Sequence, residues 1–167
     1  WVKQAVELIH QLMPPSGKVL WKHRGFLREA LQVGLKKVPS HRAPVLQQKQ
    51  DPVNLKKLPV ITSWPEDGGP FITLPLVYTE HPVTKEHNLG MYRMQVFDET
   101  TTGMHWQIQK GGGFHYFEAE KQEKDLPVHV FLGGPPALIA AAIAPLPESI
   151  PELLLASLIL GEKLPVV

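Results

Sequence analysis

Asn88-Leu-Gly-Met-Tyr-Arg-Met-Gln-Val-Phe97 decides how the chain is read. From Leu89 to Phe97 two sets of residues alternate. Leu89, Met91, Arg93 and Gln95 fall on one side, and Gly90, Tyr92, Met94 and Val96 on the other. A period of two marks a strand. The flanking sequence agrees. Trp64-Pro-Glu-Asp-Gly-Gly-Pro70 is a dense turn signal, and Phe71–Thr79 after it is rich in strand formers. Thr102–Lys110 reads as a third strand, followed by Gly111-Gly112-Gly113, and the apolar run Val128–Leu132 reads as a buried one. Hairpin spacing from Tyr78 to Leu132 predicts a partly closed antiparallel barrel. The expected class is mainly β with flanking helices (α+β).

Working outward, Phe114–Lys124 predicts a charged surface helix, Pro136–Ala144 a helix of small residues and Pro151–Leu160 another. Upstream, Val2, Ala5, Val6, Ile9 and Leu12 share one helical face, so a helix is expected over Val2–Met13, stopped by Pro14-Pro15. Lys18–Lys22 reads as a short strand and Phe26–Val33 as a helix closed by Gly34. Residues 35–58 are rich in Pro and Lys and read as a connector holding one strand at Pro44–Gln48. The expected division is a helix and strand segment, 1–50, leading into a main domain, 51–167.

The chain has 167 residues, a prior of one main domain. Its 17 prolines exclude a long helical bundle. A net charge of +1 argues against a dedicated nucleic-acid binder. With no cysteine, disulfides, thiolate nucleophiles and Cys-based metal centres are excluded. The apolar stretch Ala137–Ala144 is far short of the ~20 residues that span a bilayer, so no transmembrane segment is expected. The chain opens on Trp1 rather than Met, which suggests a trimmed start.

Three stretches could carry chemistry. Asn88 enters a strand as either a turn residue or a functional amide. Arg93, inside the alternating stretch, points either to solvent or into a pocket where its planar fork holds an anion. On a regular strand the two residues face opposite ways, so one site for both needs a bulge or Asn88 outside the pleat. Second, strand, glycine run and helix over Thr101–Gly113 form either a flexible turn or a phosphate cradle. Third, Ser149 and Glu152 fit a capping box opening the last helix, or the Glu152 carboxylate faces the β-rich part as a hard oxygen ligand. The eight histidines form no metal motif, and Ser16 and Ser63 lack a nucleophile elbow.

In order along the chain, Leu58-Pro-Val-Ile-Thr-Ser-Trp-Pro-Glu-Asp-Gly-Gly-Pro-Phe-Ile-Thr73, Asn88-Leu-Gly-Met-Tyr-Arg-Met-Gln95, Gly103-Met-His-Trp-Gln107 and Lys110-Gly-Gly112 closely resemble the UbiD family. These are the 3-polyprenyl-4-hydroxybenzoate carboxy-lyases and their relatives. Leu126-Pro-Val128, Leu132-Gly-Gly134 and Ala144-Pro-Leu-Pro147 continue the likeness, which covers roughly residues 50–167.

The resemblance implies a split β-barrel of the flavin-binding type in a cytoplasmic, homo-oligomeric enzyme. It implies non-oxidative decarboxylation of a small aromatic or α,β-unsaturated acid, by default in ubiquinone biosynthesis. The cofactor is prenylated FMN (or FMN), held through its phosphate with Mn2+ and K+. Carried over by position, Asn88 and Glu152 are metal ligands. Arg93 is the catalytic arginine on cofactor and substrate carboxylate, and Gly90 and Met91 share its cofactor-binding segment. Lys110 stands beside the phosphate, and Ala142, Ile143 and Pro145 surround cofactor and potassium. Gln109 stands where the family usually has a histidine ligand. It offers one carbonyl oxygen, weaker than imidazole for manganese. His105 projects from the same face but lies roughly 13 Å along a strand, too far to replace it. Pro135 replaces a common aspartate at a helix start.

In the family, an acidic E-x4-E pair that protonates the product follows the segment matching Leu164–Val167. The chain is therefore expected to be part of a longer enzyme, with N- and C-terminal segments as its partners, and inactive alone. Two other readings stand beside this one. One is a non-catalytic flavin-phosphate binding or assembly module, and the other a flavin reductase on the same barrel.

Overall fold

A computed structural model describes residues 32–107, 111–146 and 150–167. The expected helix at Val2–Met13, the strand at Lys18–Lys22 and most of the helix at Phe26–Val33 lie outside the described residues.

Eight short strands and three helices are described. Strand β1 (Leu35–Lys37) is followed by 3-10 turns at Ser40–Arg42, Pro44–Leu46 and Leu55–Lys57. Next come β2 (Phe71–Ile72), β3 (Leu76–Glu80), β4 (His87–Met91), β5 (Met94–Val96) and β6 (Thr102–Met104). Helix α1 (Gly111–Lys121), β7 (Val128–Phe131), α2 (Pro136–Ile143), α3 (Glu152–Leu160) and β8 (Leu164–Val166) complete the order.

The strands form three separate sheets. One is the parallel pair β1–β8, one is β2-β5-β6 and one is β4-β3-β7, the last two antiparallel. The class is mainly β with helices, as expected, but the described sheets do not close. The long alternating stretch is not one strand. It leaves the β3 hairpin after Met91, where Leu76 pairs Met91, and joins a different sheet at Met94, where Ile72 pairs Met94. Tyr92 and Arg93 make the crossing, which supplies the break in the pleat that a shared site would need. Phe71–Thr79 likewise splits into two strands around Pro75.

Other expectations are corrected. Pro44–Gln48 is not a strand; Pro44 starts a 3-10 turn, its fixed φ suiting the first helical position where no N–H is needed. The third strand ends at Met104, and Ile108, Gln109 and Lys110 lie outside the described residues. Val128–Phe131 is an edge strand only half-buried at its ends and exposed between them, so its apolar run did not mean burial. Helix α1 begins at the glycines rather than at Phe114, with Gly112, Gly113, His115 and Ala119 buried.

Two apolar clusters lie under the two larger sheets. Leu76 and Leu89 pack with Ala137, Leu138 and Ala141 of α2, Leu155 and Ala156 of α3, and Leu164 of β8. The fully buried alanines, Ala141 and Ala156, let the two helices approach closely. Each buried leucine contributes about 1.5–3 kcal/mol. Ile72, Met94 and Val96 form the second cluster, covered by Leu55, Leu58, Val60 and Met104. Gly161 ends α3 in the left-handed conformation (φ 72°), its N–H returning to the Ser157 carbonyl.

Ser157 joins both ends of the described fold. Its Oγ accepts the Gly34 N–H at 2.8 Å and donates to the Glu162 carbonyl at 2.6 Å, fully buried. Ser157→Ala strands both partners, so denaturant melts should show a loss of about 1–3 kcal/mol. Unchanged stability would show that β1 and β8 are held by other contacts. Among the described residues, no helix is long and apolar enough to cross a membrane.

Candidate cofactor site

Strand β4, the start of α1 and the start of α3 meet at one corner. Strand β4 brings Asn88, paired across the hairpin to Thr79. Helix α3 brings Glu152 as its first residue, after Pro151 at the cap. The Ser149 half of the capping box lies outside the described residues; among the described residues Pro151 stands at the cap of α3 and no side chain caps it. Glu152 Oε2 instead accepts the Leu89 N–H at 3.2 Å. The carboxylate therefore faces the β-sheet, beside Asn88.

Helix α1 brings its three glycines. A methyl group on Gly111 would overlap Asn88 Oδ1, and one on Gly112 would lie 2.6 Å from Trp106 Cζ3. Gly111 and Gly112 are thus required by close packing. Gly112 N–H is already used, donating to the Tyr92 hydroxyl at 3.2 Å. As a phosphate cradle, this helix start has one amide fewer to offer.

Tyr92 and Trp106 escaped the reading of the sequence. Tyr92 is buried, its ring 5.1 Å from that of Trp106. Burial raises its pKa most; the Gly112 N–H and the Asn88 amide pull it down, and the Glu152 charge pushes it up. The signal for Tyr92 was an aromatic at the strand exit facing a glycine run. Among the described residues, Asn88 Nδ2 is buried without a hydrogen-bond partner, as is His87 Nε2.

Arg93 makes none of these contacts. Its Nη1 pairs with Asp67 at 3.2 Å and its guanidinium sits 4.2 Å over the Phe71 ring, with the side chain 56% exposed. The corner thus unites two of the expected residues, Asn88 and Glu152, with Gly90 behind the Tyr92 ring and Met91 at the strand end. Ala142 and Ile143 close α2, half-buried and exposed, with Pro145 beyond.

Among the described residues, no three His, Asp or Glu side chains gather to hold a metal. Oxygen ligands suit a hard cation equally, and here an amide and a carboxylate share a corner. The orphaned Asn88 amide marks a polar position awaiting a partner. The residues fit a phosphate and its counter-cation. A cleft of about 760 Å3 lies elsewhere, between Met94, Met104 and Trp106 on one side and Tyr116, Val128 and Val130 on the other. Glu120, Glu123 and Asp125 against Lys124 line it too, an unfavourable field for a carboxylate.

Helix α1 is seated on β3 through Thr79 Oγ1 and His115 Nδ1, 3.0 Å apart and buried. His81 lies edge-on to His115, and Glu86 and His87 also act on it. Burial lowers the His115 pKa most, His81 and His87 lower it further, and Glu86 opposes them. A histidine held below its unfolded pKa of about 6.5 stabilises the fold above that pH and loses the contribution as pH falls. Melting temperature should drop on acidification below about pH 6.5, and His115→Gln should flatten the drop. An equal acid slope in the variant would assign it to other groups.

A family model described as UbiD, 3-octaprenyl-4-hydroxybenzoate carboxy-lyase Rift-related domain, matches residues 36–167. A protein of Chlamydia muridarum is 57% identical over 152 residues, which are 90% of this chain and 26% of that protein. A 4-hydroxybenzoate decarboxylase subunit of Chlamydia pneumoniae is 53% identical over 150 residues, 90% of this chain and 25% of that protein. An evolved dimeric form of the UbiD-class enzyme HmfF from Pelotomaculum thermopropionicum, in complex with prFMN, has a TM-score of 0.75 at 26% identity. That match covers 80% of this chain and 32% of HmfF. The chain spans about a quarter of the length of the curated relatives it matches.

Proposed function

The chain belongs to the UbiD family of carboxy-lyases, and from that premise we propose that it is the cofactor-binding part of a longer non-oxidative decarboxylase. Its substrate is a small aromatic or α,β-unsaturated acid, with a polyprenyl-hydroxybenzoate of ubiquinone biosynthesis as the default. The two larger sheets are read as parts of a flavin-binding split barrel over 51–167, with 1–50 leading in. The whole enzyme is read as cytoplasmic and homo-oligomeric.

The observation that carries this is Glu152 docked on the Leu89 N–H, one residue along β4 from Asn88, whose buried Nδ2 has no partner among the described residues. When bound, prenylated FMN supplies the electron sink that loss of carbon dioxide needs. Asn88 and Glu152, with Gln109, would hold Mn2+ through oxygen donors, and Lys110 would offset phosphate charge. The carbonyl end of α2, through Ala142, Ile143 and Pro145, suits K+, since a helix C-terminus favours cations. Arg93 holds the leaving carboxylate. Its present partner, Asp67, is a solvent-exposed pair worth about 0–1 kcal/mol, weak enough for a substrate carboxylate to displace. Proton return is assigned to acidic residues elsewhere in the longer enzyme.

Full-length protein reconstituted with prenylated FMN, Mn2+ and K+ should release carbon dioxide from one or more aromatic acids, 4-hydroxybenzoate included. Gln109 in place of the family's usual histidine ligand favours one other reading, a non-catalytic flavin-phosphate module. Tight cofactor binding with no turnover on any acid would select that reading.

A further inference from the structure

We propose that Phe71 is a positioning residue whose ring holds the Arg93 guanidinium ready for the substrate carboxylate. This rests on the reading of Arg93 as the residue that grips the acid. The guanidinium carbon lies over the Phe71 ring, 4.2 Å from its centre. Arg93 needs such a support. It stands in the crossing between β4 and β5, outside either strand, and its side chain is 56% exposed. A side chain with so many rotatable bonds spreads over many conformers unless something holds it, and ordering it on binding costs affinity.

The ring can hold Arg93 because it is itself held. On one side Phe71 pairs with Gln95 of β5. On the other its N–H donates to the Ile61 carbonyl at 2.8 Å, and the residue is only 8% exposed. The negative face of an aromatic ring attracts a cation, and guanidinium is the cation most often found there. Asp67 and Phe71 then act on Arg93 in different ways. Asp67 takes an N–H at Nη1, 3.2 Å away, where an incoming carboxylate can replace it. Phe71 has no oxygen to offer, so it does not compete with the acid for those N–H groups. It stays in contact when Asp67 is exchanged for substrate. A bound carboxylate also removes water from the guanidinium, and a cation over a ring is held more strongly once desolvated. Phe71 therefore contributes most in the substrate complex.

Phe71→Leu removes the ring and keeps an apolar side chain, whereas Phe71→Tyr keeps the ring. In the full-length protein loaded with FMN and Mn2+, calorimetric titration with 4-hydroxybenzoate should show affinity cut about 5-fold in Phe71→Leu and close to wild type in Phe71→Tyr. Phenol, the same ring without the carboxylate, should bind wild type and Phe71→Leu equally. Adding Phe71→Leu to Arg93→Met should bring no further loss for the acid. An equal loss for phenol, or an equal loss in both backgrounds, would make Phe71 a packing residue and overturn the proposal. So would unchanged affinity for the acid in Phe71→Leu while Arg93→Met weakens it. If Arg93→Met itself leaves binding of the acid unchanged, the reading of Arg93 beneath the proposal is what fails.

Discussion

Glu152→Gln should reduce decarboxylation by the full-length enzyme at least about 100-fold and abolish its Mn2+-dependent affinity for FMN. The two side chains have the same shape. The glutamine carbonyl can still accept the Leu89 N–H that Glu152 Oε2 accepts at 3.2 Å, so α3 should stay docked on β4. What disappears is one negative charge held on the Leu89 N–H, next to Asn88 in the chain. A dication beside a phosphate depends on that charge, because Asn88 contributes only a dipole. Binding and activity should therefore fall together while the melting temperature changes little. Activity retained at the wild-type level would remove Glu152 from the site.

Arg93→Met separates binding from chemistry. Arg93 shares no contact with the Asn88 corner, and its ion pair with Asp67 is solvent-exposed. Stability should therefore fall by less than about 1 kcal/mol, and FMN affinity with Mn2+ should hold. A bidentate, charge-assisted grip on the substrate carboxylate is worth about 1.5–3 kcal/mol, so kcat/KM should fall roughly 10–100-fold. Asp67→Asn should leave turnover intact or lower KM, since it frees the guanidinium over Phe71. Unchanged kcat/KM in Arg93→Met would mean that another group holds the acid.

The residues show where reading a sequence succeeds and where it stops. The helices at Pro136 and Pro151 were legible because proline punctuates each start and small or apolar residues follow. The β3–β4 hairpin was legible from its strand formers. Alternation across Leu89–Phe97 was real, but it reports facing and not partnership. Nothing in a period of two says that Met91 ends in one sheet and Met94 begins in another. Val128–Phe131 misled for a related reason: an apolar run does not say which side is covered.

At the site, Asn88 and Glu152 were each legible as one of two alternatives, and motif likeness chose the ligand reading. The contact that unites them is a carboxylate on a backbone N–H 63 positions away, which local pattern cannot encode. Ser149 offered a nearer partner and a plausible capping box, yet Pro151 stands at the cap and α3 starts on Glu152. Tyr92 was hidden because its hydroxyl accepts the Gly112 N–H, and only the fold brings those two residues together.

The most direct measurement is a crystal structure of the full-length protein grown with FMN and MnCl2, with anomalous data collected for manganese. The expected result is a single peak about 2.0–2.6 Å from Asn88 Oδ1 and a Glu152 oxygen, touching the FMN phosphate. FMN bound with its phosphate away from β4 and α3, or manganese bound without either side chain, would contradict it.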